Sequence, residues 1–235
     1  MPTIFPPIGG AEIAAVFTGK RLAGDFYDCI RVSPERVLIS LLDAAGRRDE
    51  NRHILSAAQK IFRESGSQLF SAADLNESDA MTELCLLLNR GLIEASSSVH
   101  SCPAFIACYH EKFGTLCYTN AGHTPGLLRD HTGIAELPST GLPLGLFSHA
   151  TCEAPTVGME RGSALILVSR GLLESESSHN NDSQFGIDQV KALLQAGSPT
   201  NPQDLCTQIL NSAAEFTGHG PVCDDRTALA LVRSA

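Results

Sequence analysis

What the chain lacks narrows its class before any motif is read. No cluster of lysine or arginine runs along it. Its 17 basic residues are outnumbered by 26 acidic ones, for a formal net charge of −9. Nucleic acid and anionic membrane surfaces are therefore not the expected partners. No stretch approaches the ~20 consecutive apolar residues that span a bilayer. The opening MPTIFPPIGG has neither the basic segment nor the continuous apolar core of an export signal, so a cytoplasmic location is expected. No G-x-G-x-x-G and no Walker loop is present to cradle phosphates, which argues against a doubly wound nucleotide-binding fold. The eight cysteines contain no C-x-x-C, and the eight histidines no H-E-x-x-H or comparable spacing. Cys85, Cys108 and Cys117 lie inside apolar runs, where a reduced thiol behaves as a small hydrophobe. Core thiols are expected, not a disulfide framework or a metal site.

What is present suits a globular unit. The 235 residues are 43% hydrophobic and 18% charged, enough for a sizeable core, and no repeat or long linker divides residues 1–235. Strands are expected over 11–18, 22–32 and 36–43. Two helical faces follow, one through Ile54, Ala57, Ala58, Ile61 and Phe62, the other through Met81, Leu84, Cys85, Leu88 and Leu92. A hairpin over 103–111 and 115–120 precedes short strands at 126–130, 134–138 and 151–159, then an uninterrupted apolar run at 165–169. The polar stretch 175–183 reads as a mobile loop. Helices are expected over 185–195 and 202–216, the second with Asn201 as N-cap and Pro202 in its first turn. A last strand covers 225–233. Strands and helices segregate instead of alternating, which predicts an α+β fold with helices covering antiparallel sheets.

Three stretches place carboxylates at strand ends or turns: AGDFYD (Asp25, Asp28), LLDAAG (Asp43) and CDDRT (Asp224, Asp225). If they meet at one sheet rim, they make an oxygen-rich site suited to Mg²⁺ or Mn²⁺. Each one alone is equally the turn chemistry of aspartate beside glycine. Spacing does not decide between the two readings.

The motifs taken in order do more. AGDFYD, the strand-terminal Asp43-Ala44-Ala45-Gly46, YTNAGHTP at 118–125, GLPLGL at 141–146, Phe185-Gly186 and Asp224-Asp225-Arg226-Thr227 resemble the bacterial SpoIIE-like branch of the PPM-type protein phosphatases. The resemblance runs from Glu12 to Val232. It implies an α-β-β-α sandwich, two antiparallel sheets flanked by helix pairs. It also implies a two-metal hydrolysis of phosphoserine and phosphothreonine, with Mn²⁺ or Mg²⁺ as cofactor. By resemblance Asp25 ligates one metal, Asp43 bridges both and Asp224 ligates the other, with the Ala44 carbonyl as a further ligand. Asp28, Gly46, Asn120, His123 and Asp225 fall in the same motifs as supporting residues, and His123 either braces its loop or acts directly. The implied partner is a phosphoprotein such as a sigma-factor regulator. No attached sensor domain is evident, so input is expected from a separate protein or from homodimerisation.

One position departs from the pattern. The strand at 165–169 leads, in the family, into a motif close to T/S-D-G whose aspartate is a metal ligand. Here it reads Ser169-Arg170-Gly171. At an effective dielectric of ~20, each unit-charge contact near ~4 Å is worth roughly 4 kcal/mol, so the swap should weaken one metal position. Arg170 can fork onto Asp43 or Asp224 as an internal cation, or bend out to solvent. Leu42 before the bridging aspartate and Arg47-Arg48 after Gly46 add bulk and positive charge to the same turn. Two functions remain open: a phosphatase, impaired or working with one tightly held metal, and a pseudophosphatase that binds a phosphoprotein without turnover.

Overall fold

The uninterrupted apolar runs form strands covered on both faces. β3 (Arg36–Asp43), β4 (Ala104–His110) and β9 (Ala164–Val168) are buried at every position, as expected of strands with a core on each side. The computed structural model describes residues 5–19, 24–44, 48–96, 100–178, 183–197, 201–218, 220 and 224–234, for 48–50 the backbone alone. The remaining strands are β1 (Ala11–Thr18), β2 (Asp25–Ser33), β5 (Thr115–Ala121), β6 (Gly126–Arg129), β7 (Ile134–Leu137), β8 (Thr156–Gly158) and β10 (Arg226–Arg233). They make two five-stranded sheets, β1-β10-β9-β6-β7 and β2-β3-β4-β5-β8, with every strand pair antiparallel.

Alternation along the strands sorts side chains into three layers. Ile39, Leu41, Phe105 and Tyr109 of one sheet meet Leu165, Leu167, Leu229 and Leu231 of the other. The opposite faces carry Leu38, Leu42 and Ile106 against helices α1 (Arg48–Leu69) and α2 (Glu77–Ala95). Likewise Ile166, Val168 and Ala230 pack against α4 (Gly186–Gln195) and α5 (Pro202–Phe216). The architecture is the expected α-β-β-α sandwich. Asn201 caps α5 as its sequence position predicts, accepting from the Gln203 and Asp204 N–H groups, and Asn76 caps α2 in the same way.

Several elements differ from expectation. A short helix, α3 (Arg170–Leu173), follows β9 directly, because Ser169 turns the chain and four residues suffice for one turn. β8 is three residues long where a strand over 151–159 was expected, since its pairing with β5 stops at Cys117–Thr156. The stretch 175–183 closes on itself through a Glu176–Gln184 bridge, and its residues 179–182 lie outside the described residues. Cys85 and Cys152 form a disulfide instead of staying reduced. They are 67 residues apart, so local spacing gave no sign of the pair, and the fold brings the strand-edge segment at Cys152 against α2. Cys29, Cys102, Cys108, Cys117 and Cys206 are free and buried. Among the described residues no helix is long and apolar enough to cross a membrane.

Candidate functional site

Asp25 opens β2 and Asp43 closes β3. The antiparallel register sets these two residues directly opposite each other. Directly opposed residues share a face. Cys29, Ile39 and Leu41, at alternate positions along the same strands, line the space between the sheets. The two carboxylates therefore stand at the rim of that inter-sheet space.

The second sheet meets them there. β9 ends and β10 begins at the adjoining rim, and the Thr227 hydroxyl donates to Asp25 Oδ2 at 2.6 Å. The Gly24 N–H donates to Asp225 Oδ2 at 3.3 Å, and buried Asp225 thereby ties the start of β10 to the start of β2. Asp224, its neighbour, is exposed. Gly171 allows this approach. A Cβ there would lie 2.3 Å from the Asp225 carbonyl oxygen and 2.9 Å from Asp224 Cβ.

Arg170, the first residue of α3, reaches back over the rim. Its Nε lies 3.6 Å from Asp43 Oδ2 and 3.9 Å from Glu174 Oε2, with 53% of the side chain exposed. The ion pair and the solvent-facing arrangement are thus both partly realised. Burial raises the Asp43 pKa, the Arg170 guanidinium pulls it back, and Asp224 and Glu174 push it up again. Among the described residues no such cation stands beside Asp25. Burial pushes its pKa up to about 7, the Thr227 hydrogen bond holds it down, and Asp43 adds to the rise.

The other expected residues divide. Asp28 does not join the site. It lies on the opposite face of β2 from Asp25, where its carboxylate pairs with Arg63 of α1 through Nε at 2.7 Å and Nη2 at 2.8 Å. The Ala44 carbonyl is beside the site but already accepts from the Asn51 side chain at 3.0 Å. Asn120 Oδ1 accepts from the His123 N–H at 2.8 Å, and its amide donates to the Thr124 and Leu137 carbonyls. The buried His123 ring bonds through Nδ1 to Thr124, and burial lowers its pKa to about 4. Thr124 in turn donates to the Val168 carbonyl at 2.5 Å. Asn120 and His123 therefore brace the end of β9, two residues before Arg170. Gly46 and Arg47 lie outside the described residues, as does the side chain of Arg48.

The donor chemistry fits a hard divalent cation. Two carboxylates stand side by side at the rim, and burial first, then the neighbouring Asp43, raises the proton affinity of Asp25. Among the described residues, no three His, Cys, Asp or Glu side chains group to hold a metal ion, and the Arg170 guanidinium lies beside Asp43. Beside it a cavity of about 360 Å³ opens past Gly171, Glu174, Ser175, Thr217 and Asp224. Ser169, Thr227 and Asn51 were not singled out from sequence. Thr227 carried a signal, being the last residue of the Asp224–Thr227 motif. Ser169 carried one too, as the first residue of Ser169-Arg170-Gly171, whereas Asn51 carried none.

Comparison with known proteins agrees with this geometry. The family model described as Stage II sporulation protein E (SpoIIE) matches residues 33–234. The phosphoserine phosphatase RsbP of Bacillus subtilis (strain 168) is 24% identical over 160 residues, covering 68% of this chain and 38% of RsbP. The RsbU and RsbW domains of Rv1364c from Mycobacterium tuberculosis superpose with a TM-score of 0.75 at 21% identity, over 98% of this chain and 63% of that one. The SiaA-PP2C domain of Pseudomonas aeruginosa gives a TM-score of 0.75 at 17% identity, over 95% and 86%. RsbX in complex with magnesium gives 0.62 at 14%, over 94% of each. The chain thus spans less than two thirds of RsbP and of the Rv1364c chain. With its two sheets, its helix layers and a family match over most of its length, it has the fold of the PP2C domains it superposes on and belongs to the SpoIIE family.

Proposed function

We propose that this domain hydrolyses phosphoserine or phosphothreonine on a regulatory phosphoprotein, with one divalent cation at Asp25 and Asp43 and with Arg170 in the place of a ligand to a second. One observation carries the reading: Asp25 and Asp43 are opposed on neighbouring strands, and among the described residues only Asp43 of the two has a guanidinium beside it. Asp25, Asp43 and Asp224 would hold Mn²⁺ or Mg²⁺, which when bound supplies Lewis-acid polarisation of a phosphoryl oxygen and a nucleophilic water at neutral pH. The chain itself supplies orientation and charge. Thr227 fixes Asp25, Asn51 holds the Ala44 carbonyl, and Arg170 offsets negative charge at Asp43.

The partner we assign is a phosphorylated regulator of sigma-factor or stress-response control, met in the cytoplasm. The support is the likeness to RsbP, named a phosphoserine phosphatase, and to a chain that joins RsbU and RsbW domains.

A second reading rests on the same arginine. If its ion pair with Asp43 fills the site permanently, the domain is a pseudophosphatase that binds its phosphoprotein without turnover. Mn²⁺-dependent hydrolysis of a generic phosphate ester, native protein beside Arg170→Asp, separates the two. Turnover by the native protein that the substitution does not improve supports the phosphatase. A silent native protein switched on by Arg170→Asp overturns it in favour of the binding module.

A further inference from the structure

We infer that Thr227 is a positioning residue for Asp25, and that Ser169 positions Thr227, so that the second sheet sets the orientation of a carboxylate belonging to the first. The inference deepens the proposed function and rests on its assignment of Asp25 to the cation.

Three groups from three strand ends, Asp25, Ser169 and Thr227, make the chain of contacts. Thr227 and Ser169 are both fully buried. The Ser169 hydroxyl accepts from the Thr227 N–H at 2.9 Å, lies 3.3 Å from the Asp225 carbonyl, and also hydrogen-bonds Asp25 itself. The Ser169 N–H donates to the Thr227 carbonyl at 2.9 Å. With its backbone held on both sides by Ser169, Thr227 directs its hydroxyl to Asp25 Oδ2 at 2.6 Å, across 202 positions of sequence.

A carboxylate has two oxygens. Occupying Oδ2 with a neutral donor leaves its charge intact and Oδ1 available to a cation. It also removes the rotational freedom that an ion would otherwise have to freeze. Groups that hold a metal-binding carboxylate typically change metal affinity by about 10–100-fold when removed. A lysine or arginine in the same place would orient Asp25 as well but would compete with the ion. That is the situation at Asp43, where Arg170 stands.

Two measurements test this on native protein, Thr227→Val, Thr227→Ser and Ser169→Ala. The first is Mn²⁺ affinity, read as the free-ion signal by electron paramagnetic resonance. Thr227→Val, which keeps shape but loses the donor, should bind about tenfold more weakly. Thr227→Ser should stay within about twofold of native, and Ser169→Ala should fall between. The second uses no metal: side-chain three-bond couplings of Asp25 by NMR should report one χ1 rotamer in native and Thr227→Ser protein and averaging in Thr227→Val. A merely structural hydroxyl would lower the melting temperature while leaving both readings at native values, and that result overturns the inference. If native protein binds no Mn²⁺, the assignment of the cation fails. The couplings then decide the positioning role on their own.

Discussion

Asp25 and Asp43 face each other across one pair of strands, yet the fold treats them differently. Asp25 is held by the hydroxyls of Thr227 and Ser169, with no cation beside it among the described residues. Asp43 sits under a guanidinium that balances part of its charge. Both are withdrawn from water, and burial is the first cause of the raised pKa at each. A hydroxyl orients a carboxylate without neutralising it, whereas an arginine does both. In the function proposed above, the half served by hydroxyls is the one open to a cation, while Arg170 offsets part of the charge at Asp43.

The largest expected effect tests whether the Asp43 half still matters to chemistry. Asp43→Asn should lower Mn²⁺-dependent phosphate ester hydrolysis by about a thousandfold or more, the scale of losing several kcal/mol of charge stabilisation. The circular dichroism spectrum should remain native. Undiminished turnover would mean that Asp25 works without its partner.

A smaller effect probes the Asp25 half through pH. In the folded, metal-free chain Asp25 keeps its proton up to about pH 7, against a reference value of 3.8. The folded state therefore binds more protons between those values, and stability should fall as pH rises through that window. Asp25→Asn should flatten that fall, making the variant about 1–2 kcal/mol more stable than native at pH 8 in EDTA and nearly equal at pH 4. Melting curves at the two pH values check it. Equal curves for both proteins at pH 8 would show that Asp25 carries no unbalanced charge.

The smallest effect concerns the ion pair itself. Because the Arg170 side chain is half exposed, Arg170→Ala should cost the metal-free protein only about 0.5–1 kcal/mol in a denaturant titration. No change at all would place the guanidinium in solvent and erase the contrast between the two halves.

Much of this was legible in sequence, for physical reasons. The run RVLISLLD is a strand buried on both faces, and such strands announce themselves by composition. Asn201 announces a helix start by its own capping chemistry. Asp25 and Asp43 come from motifs at strand ends, but their register is a property of pairing and became visible only in the sheet. Asp28 was open to a better reading: it stands three residues from Asp25, and alternation puts odd separations on opposite faces. Its partner Arg63 is 35 positions away, beyond any local signal. The Thr227–Asp25 bond and the Cys85–Cys152 pair were unreadable for the same reason. The direction of Arg170 depends on α3, one turn too short to leave a periodic trace.

The order of the strands has a consequence in time. β10 is the last element along the chain, yet it lies between β1 and β9 in its sheet. It also brings both Thr227 and Asp225 to Asp25 and Gly24. A polypeptide emerging in order can pair β2 with β3 and align the two carboxylates early, but nothing orients Asp25 until β10 has slid into its slot. Contacts that close so large a loop form late. During synthesis the domain is therefore a scaffold whose rim of carboxylates is completed only when β10 joins its sheet.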